Sequence, residues 1–154
     1  MKDLVEALKN KNKTISSMES CTGGALANEI TNIEGCSDVI KYSAVTYSNE
    51  FKIKMGVSKE VIDKYTVYSV EVAKEMSRAI CDFSKASYGI GITGKLNRAD
   101  KNNNYGKDNV VFISIYDSHN NKYFTKDIEV VEATRKLNKD LVINEIIKII
   151  KKIL

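Results

Sequence analysis

Thr14-Ile15-Ser16-Ser17-Met18-Glu19-Ser20-Cys21-Thr22-Gly23-Gly24-Ala25-Leu26 is the stretch whose reading decides the fold. Thr14 to Met18 is a short strand candidate, and Thr22 to Ile33 returns to helical spacing through Ala25, Leu26, Ile30 and Ile33. A strand running straight into a helix is the opening of an α/β unit. At the junction a hydroxyl, a thiol, a second hydroxyl and two glycines crowd into one turn. Backbone N–H groups lack partners at such a turn, and the helix dipole is positive there. Two readings stand: the turn receives an anion or a developing oxyanion, with Gly23 and Gly24 letting a ligand approach, or Ser20 or Thr22 merely caps the helix.

Outward from this junction, Asp3 to Asn10 carries Leu4, Val5, Ala7 and Leu8 at helical spacing. Val39 to Tyr47, rich in β-branched and aromatic residues, predicts a second strand after a helical turn near Ser37. Asn49 to Met55 predicts a short helix stopped at Gly56. Ser58 begins another, and Ser69 caps a long one running through Val70, Val72, Ala73, Met76, Ala79, Ile80 and Phe83. Tyr88-Gly89-Ile90-Gly91-Ile92-Thr93 reads as a third strand whose glycines require a close neighbour. The polar stretch Lys95 to Asn109 is long for a compact domain, which points to function. Val110 to Tyr116 and Tyr123 to Ile128 flank a turn as a hairpin, and Glu132 to Leu154 closes the chain as a helix.

This order predicts a single domain over residues 1–154, an α/β fold built as a three-layer α/β/α sandwich on a mixed, mostly parallel sheet. Ligands of open sheets sit beyond the carboxyl ends of the parallel strands. Ser20, Tyr47 with Lys52, and Thr93 each follow the end of a separate strand, so parallel strands would bring them to one rim.

The composition narrows the function. With 43% apolar and 29% charged residues, 154 residues suffice for a core without disulfides or metal. The net charge of +4 comes from 24 basic residues dispersed among 20 acidic ones, without the concentrated patch of a nucleic-acid binder. Lys148, Lys151 and Lys152 form the solvated face of a helix whose other face is Ile146, Ile147, Ile149 and Ile150. No apolar run reaches the length of a membrane span. Met1 to Leu8 carries charges where a signal peptide has an unbroken apolar core. Cys21, Cys36 and Cys81, without C-x-x-C spacing, read as reduced thiols in a cytoplasmic setting.

Few chemistries survive this inventory. His119, the one histidine, falls in the hairpin turn, away from the rim, which argues against an imidazole triad and against zinc. No Walker sequence is present, and Gly89-x-Gly91 lacks the third glycine of a dinucleotide fingerprint. Mg²⁺ on Asp or Glu stays open, although no paired-carboxylate motif recommends it. What remains is a hydroxyl activated by lysine or tyrosine. Burial strips a lysine of proton affinity, so Lys52 could serve as a base near neutral pH, or else be a surface lysine on a short helix. Tyr47 is a partner for it or a core aromatic with its hydroxyl at the edge. Ser37 is a second candidate nucleophile. The helix from Thr22 to Ile33 would carry the chain ~16 Å back at ~1.5 Å per residue, toward the opposite rim, unless the chain doubles back or a partner copy supplies Ser37. Cys21 at a helix start would have a lowered pKa, or be a small buried hydrophobe. Arg98 and Arg135 can hold phosphate bidentately or form surface ion pairs.

Glu19-Ser20-Cys21-Thr22-Gly23-Gly24, Gly35-Cys36-Ser37, Val45-Thr46-Tyr47-Ser48-Asn49-Glu50-Phe51-Lys52 and Ile92-Thr93-Gly94 resemble, in order and spacing, the CinA C-terminal domain family. The resemblance spans nearly the whole chain, which looks like a short stand-alone variant without the family's N-terminal molybdopterin-binding-like domain. Enzymatic members are nicotinamide-nucleotide amidohydrolases (nicotinamide mononucleotide deamidases). The resemblance therefore implies hydrolysis of the carboxamide of nicotinamide mononucleotide to nicotinate mononucleotide and ammonia, on an α/β/α sandwich. It implies catalytic roles for Ser20, Tyr47 and Lys52, with Thr93 in the pocket. Ser20 is assigned as nucleophile and Lys52 as its base, with Tyr47 relaying or orienting the proton. Glu19, Thr22, Gly23, Gly24, Ser37, Arg98 and Arg135 complete the expected substrate-binding set, N–H groups around Thr22 to Gly24 holding the oxyanion or the phosphate.

The chain also departs from the family. Lys95-Leu96-Asn97-Arg98-Ala99-Asp100-Lys101-Asn102-Asn103 stands where members carry an Ala-Gly-Pro, glycine-rich loop. Thr66-Val67-Tyr68-Ser69 replaces Gly-Ala-Val-Ser. Glu129-Val130-Val131 replaces Gly-Asp-Arg, while Arg135 persists one turn later. These departures keep two other readings in play: a non-catalytic nucleotide-binding or regulatory module, and a serine–lysine amidase for another small amide. The expected partners are a small nucleotide and further copies of the chain in a dimer or higher oligomer, with no cofactor, metal, nucleic acid or membrane.

Overall fold

Each segment predicted from periodicity has a counterpart in the computed structural model, which describes all 154 residues. Helix α1 (Lys2–Asn10) leads into β1 (Ile15–Glu19), α2 (Ala25–Thr31), a 3-10 turn (Cys36–Asp38) and β2 (Ile40–Val45). Then come α3 (Asn49–Lys54), α4 (Lys59–Tyr65), α5 (Val70–Ser84), β3 (Tyr88–Gly94), β4 (Val110–Asp117), β5 (Lys122–Glu129) and α6 (Arg135–Ile153). The strands form one sheet in the order β2-β1-β3-β4-β5. β1 pairs in parallel with β2 and β3, while β4 is antiparallel to both β3 and β5, so only β4 opposes the common direction.

Helices cover both faces of the sheet. Leu4 and Leu8 of α1, Leu26 and Ile30 of α2, and Val142, Ile146 and Ile150 of α6 pack with Ile15, Ile90, Ile92, Ile113 and Ile115 in the larger core. Met18 faces the other way, with Ile62 of α4 and Val72, Met76 and Ile80 of α5. The close neighbour required by the glycines of β3 is α5. A Cβ on Gly89 would lie 2.0 Å from the Ser77 carbonyl oxygen, and one on Gly91 2.2 Å from that of Ala73. The hydroxyls of Ser77 and Ser114, 2.9 Å apart, tie α5 to β4 within this interface.

Two helix starts differ from expectation. α2 begins at Ala25 and not at Thr22, because Gly23 and Gly24 take left-handed φ values of 62° and 89° and turn the chain first. α6 begins at Arg135 and not near Glu132, where the Thr134 hydroxyl accepts from the N–H of Leu137. Ser48, Ser58 and Ser69 cap α3, α4 and α5 in the same manner. No helix is long and apolar enough to cross a membrane.

Candidate active site

Because β2, β1 and β3 run parallel, the segments that follow them emerge on one rim, with β1 in the middle. Ser20 leaves β1 with its N–H still bonded to the Ile92 carbonyl of β3 at 3.0 Å, which fixes the backbone beneath its hydroxyl. Tyr47 and α3 follow β2. A cavity of about 710 Å³ opens here, and its wall includes Ser20, Cys21, Tyr47, Lys52, Arg98 and Arg135.

The orientation of α3 is the telling feature. Amphipathic helices bury their apolar side chains and expose their lysines. α3 does the reverse: Lys52 is 1% exposed while Phe51 is 54% exposed. The buried amine donates to the Thr46 carbonyl at 2.7 Å and lies 3.1 Å from Ser20 Oγ. Burial penalises the ammonium form and brings Lys52 down to about 8, far below an ordinary lysine. A neutral amine so placed keeps one N–H on Thr46 and turns its lone pair toward the seryl hydroxyl. Tyr47 is largely exposed at the cavity mouth and bonds neither Ser20 nor Lys52.

Several expected substrate contacts do not line the cavity: Glu19, Thr22, Gly23, Gly24, Ser37 and Thr93. Glu19 is fully buried, and its carboxylate accepts from the N–H groups of Gly24, Leu26 and Ala27 at 3.1, 3.2 and 3.0 Å. It caps α2 and takes the Gly24 N–H, one of the donors expected to receive a ligand. The Gly23 N–H is also engaged, with the Ser20 carbonyl at 3.0 Å. The donors left without a protein acceptor are the N–H groups of Cys21 and Thr22, directly after Ser20. The Thr22 hydroxyl is buried without a partner. Thr93 donates to the Val67 carbonyl at 2.9 Å, tying β3 to the α4–α5 connection. Ser37 lies in the 3-10 turn ahead of β2, hence at the opposite rim, as does His119 in the β4–β5 turn. Burial pushes the Cys21 thiol up to about 12, the reverse of the lowering expected at a helix start, so it remains a protonated small hydrophobe.

Other residues of the wall escaped the sequence reading as ligands: Asn49, Tyr68, Lys95, Asp100, Asn102 and Asn103. Four of them belong to the polar stretch 95–109, whose length was the available signal. Lys95 is buried, paired with Asp108 at 2.9 Å and stacked over the Tyr68 ring. Arg98 and Arg135 form no ion pair, and both line the cavity that also holds Lys52.

Comparison with known proteins bears on the chain and its fold. The model of the CinA C-terminal domain matches residues 1–154. A protein of Clostridium botulinum (strain Langeland) named as competence-damage inducible is 40% identical over 127 residues, 81% of this chain and 30% of that protein. One from Alkaliphilus oremlandii, of the same name, is 44% identical over 92 residues, 59% of this chain and 22% of the relative. The chain thus matches under a third of the length of these curated relatives. Among solved structures, a CinA superfamily protein from Klebsiella pneumoniae superposes with a TM-score of 0.89 at 18% identity, covering 98% of this chain and 92% of that one. The competence/damage inducible protein CihA from Agrobacterium tumefaciens superposes with a TM-score of 0.86 at 22% identity, covering 97% and 90%. At such identities the likeness is one of fold.

Proposed function

This chain belongs to the CinA C-terminal domain family, and from that premise we propose that it is an amidohydrolase converting nicotinamide mononucleotide to nicotinate mononucleotide and ammonia. The observation that carries this reading is the buried Lys52 amine 3.1 Å from Ser20 Oγ, with no histidine on the rim. In the proposed reaction Ser20 Oγ attacks the carboxamide carbon as its proton passes to the Lys52 amine. The N–H group of Cys21, which lines the cavity and has no protein acceptor, donates to the oxyanion that forms. The Lys52 ammonium then returns the proton to the departing nitrogen, releasing ammonia and leaving an acyl ester on Ser20. Water, deprotonated by the same amine, hydrolyses that ester and regenerates the hydroxyl. Tyr47, at the mouth, contacts the leaving amide and orients its proton. Arg98 and Arg135 supply unpaired cationic donors suited to a phosphate.

The test is release of ammonia from the nucleotide by purified protein, beside Ser20→Ala, Lys52→Ala and Ser37→Ala. The expected result is turnover in the parent and in Ser37→Ala, and near-complete loss in the other two. Full activity in Ser20→Ala and Lys52→Ala would remove the site assignment. Nucleotide binding without any turnover would favour a regulatory module, and turnover of other carboxamides alone would favour a different amide substrate.

A further inference from the structure

The loop 95–109 carries no regular secondary structure, yet it is held at two places. Its base is closed by the Lys95 N–H on the Val110 carbonyl at 3.0 Å, the Arg98 N–H on the Asp108 carbonyl at 3.1 Å and the Lys95–Asp108 ion pair at 2.9 Å. Its tip is held by Asp100. That carboxylate accepts from the Tyr68 hydroxyl of the α4–α5 connection, from the Asn102 N–H at 2.9 Å and from Asn103 Nδ2 at 3.0 Å. Asn103 Oδ1 in turn accepts from Asn49 at the start of α3, at 3.4 Å. The loop is thereby bridged to the elements that flank the cavity.

Arg98 lies between the two anchors and lines the cavity. Asp100, only two residues away, forms no ion pair with it; its carboxylate is turned to Tyr68, Asn102 and Asn103. An arginine on an unanchored loop would lose the entropy of ordering that loop at every binding event. Here the ordering is supplied within the free protein.

We propose that Asp100 is a positioning residue that sets substrate specificity: by fastening the loop to Tyr68 it holds the Arg98 guanidinium in the cavity wall, so the site selects an amide bearing a phosphomonoester over its uncharged-tail counterpart. This rests on the amidohydrolase reading for the substrate's identity but not for its test. Asp100 acts through Arg98 and touches no reacting atom.

The experiment is a calorimetric titration of nicotinamide mononucleotide, and of the riboside lacking the phosphate, into Ser20→Ala protein. The titration is repeated with Asp100→Asn, Tyr68→Phe, Arg98→Ala and Asp100→Asn/Arg98→Ala added. Asp100→Asn and Tyr68→Phe are expected to weaken the nucleotide about tenfold and the riboside less than twofold. The double variant is expected to bind no worse than Arg98→Ala alone, since the first residue works only through the second. With Ser20 restored, Asp100→Asn is expected to raise KM about tenfold while kcat changes less than twofold. Equal weakening of both ligands, or a further tenfold loss in the double variant, would overturn the proposal, as would absence of nucleotide binding by the Ser20→Ala parent. Binding that follows this pattern without turnover in the parent would leave the positioning role standing and end the amidohydrolase reading. Turnover with an unaffected Asp100→Asn would do the opposite.

Discussion

At the scale of single residues, Lys52 carries opposed consequences for activity and stability. Its folded value of about 8 against 10.5 for an ordinary lysine means the unfolded chain binds the proton more tightly between those pH values. Stability therefore rises with pH across that window, and below it the protein bears a penalty of about 3 kcal/mol, at about 1.4 kcal/mol per pH unit. Lys52→Met removes that penalty but leaves the Thr46 carbonyl without its donor, which costs about 1–2 kcal/mol. The variant is expected to lose turnover completely and yet gain about 1–2 kcal/mol at pH 7 in urea unfolding. A loss of stability would mean that the buried amine is worth more to the fold than its desolvation costs. The same residue predicts that kcat/KM climbs about tenfold per pH unit below 8 and levels off above it, as the amine becomes neutral. Glu19 shows the converse, a conspicuous carboxylate with a structural task. Glu19→Gln replaces a charged acceptor of three backbone N–H groups by an amide that can satisfy fewer, and is expected to cost about 2–3 kcal/mol in the same unfolding measurement.

At the scale of elements, what the sequence made legible was whatever depends on periodicity. The amphipathic runs, the serine caps and the hairpin are local signals, and so is the demand of Gly89 and Gly91 for a close neighbour. The helix that meets that demand is α5, the element directly before β3 in the chain. The start of α2 is displaced from expectation: the spacing of Ala25, Leu26, Ile30 and Ile33 does not register the left-handed pair at Gly23 and Gly24 that precedes it. Glu19 stands in the binding set that the resemblance implies, while its partners in the structure are backbone N–H groups, which carry no sequence identity. Asp100 and Tyr68, separated by 32 residues, could not be paired from spacing at all. The interface between α5 and β3 gives the prediction proper to this scale. Gly91→Ala drives a methyl against the Ala73 carbonyl oxygen at 2.2 Å and the Ser77 nitrogen at 2.6 Å, both helix backbone atoms that cannot rotate away. Overpacking against rigid backbone is expected to cost about 3 kcal/mol or more, read as a lower urea midpoint at unchanged m-value. Gly106→Ala, with nothing within 4 Å of its Cβ, is expected to cost only its left-handed backbone preference, about 1 kcal/mol.

At the scale of the whole molecule, the site is a product of topology. β1 sits between β2 and β3 with all three strands parallel, so Ser20 and α3 converge on one rim although 32 residues separate Ser20 from Lys52. This convergence followed from the α/β pattern, whereas the cavity wall required the loop 95–109 and the start of α6 to fold over the rim. The wall therefore draws on the turn after β1, the β2–α3 connection with α3, the α4–α5 connection, the end of β3 with its loop, and the start of α6, elements of both layers and of both ends of the chain. A ligand that bridges them binds only the assembled molecule and stabilises it by mass action, by about 2.7 kcal/mol when present at 100 times its Kd. For a chain of this size about 1 kcal/mol corresponds to about 2–4 °C, so the expected rise in Tm is about 5–10 °C. Differential scanning calorimetry of Ser20→Ala protein with saturating nicotinamide mononucleotide measures it free of turnover. Arg98→Ala and Arg135→Ala, added singly, are each expected to cut the rise at fixed nucleotide concentration by about half, because each removes one unpaired cation from the wall. A full shift in both variants would place the anion elsewhere and separate the cavity from the bound nucleotide.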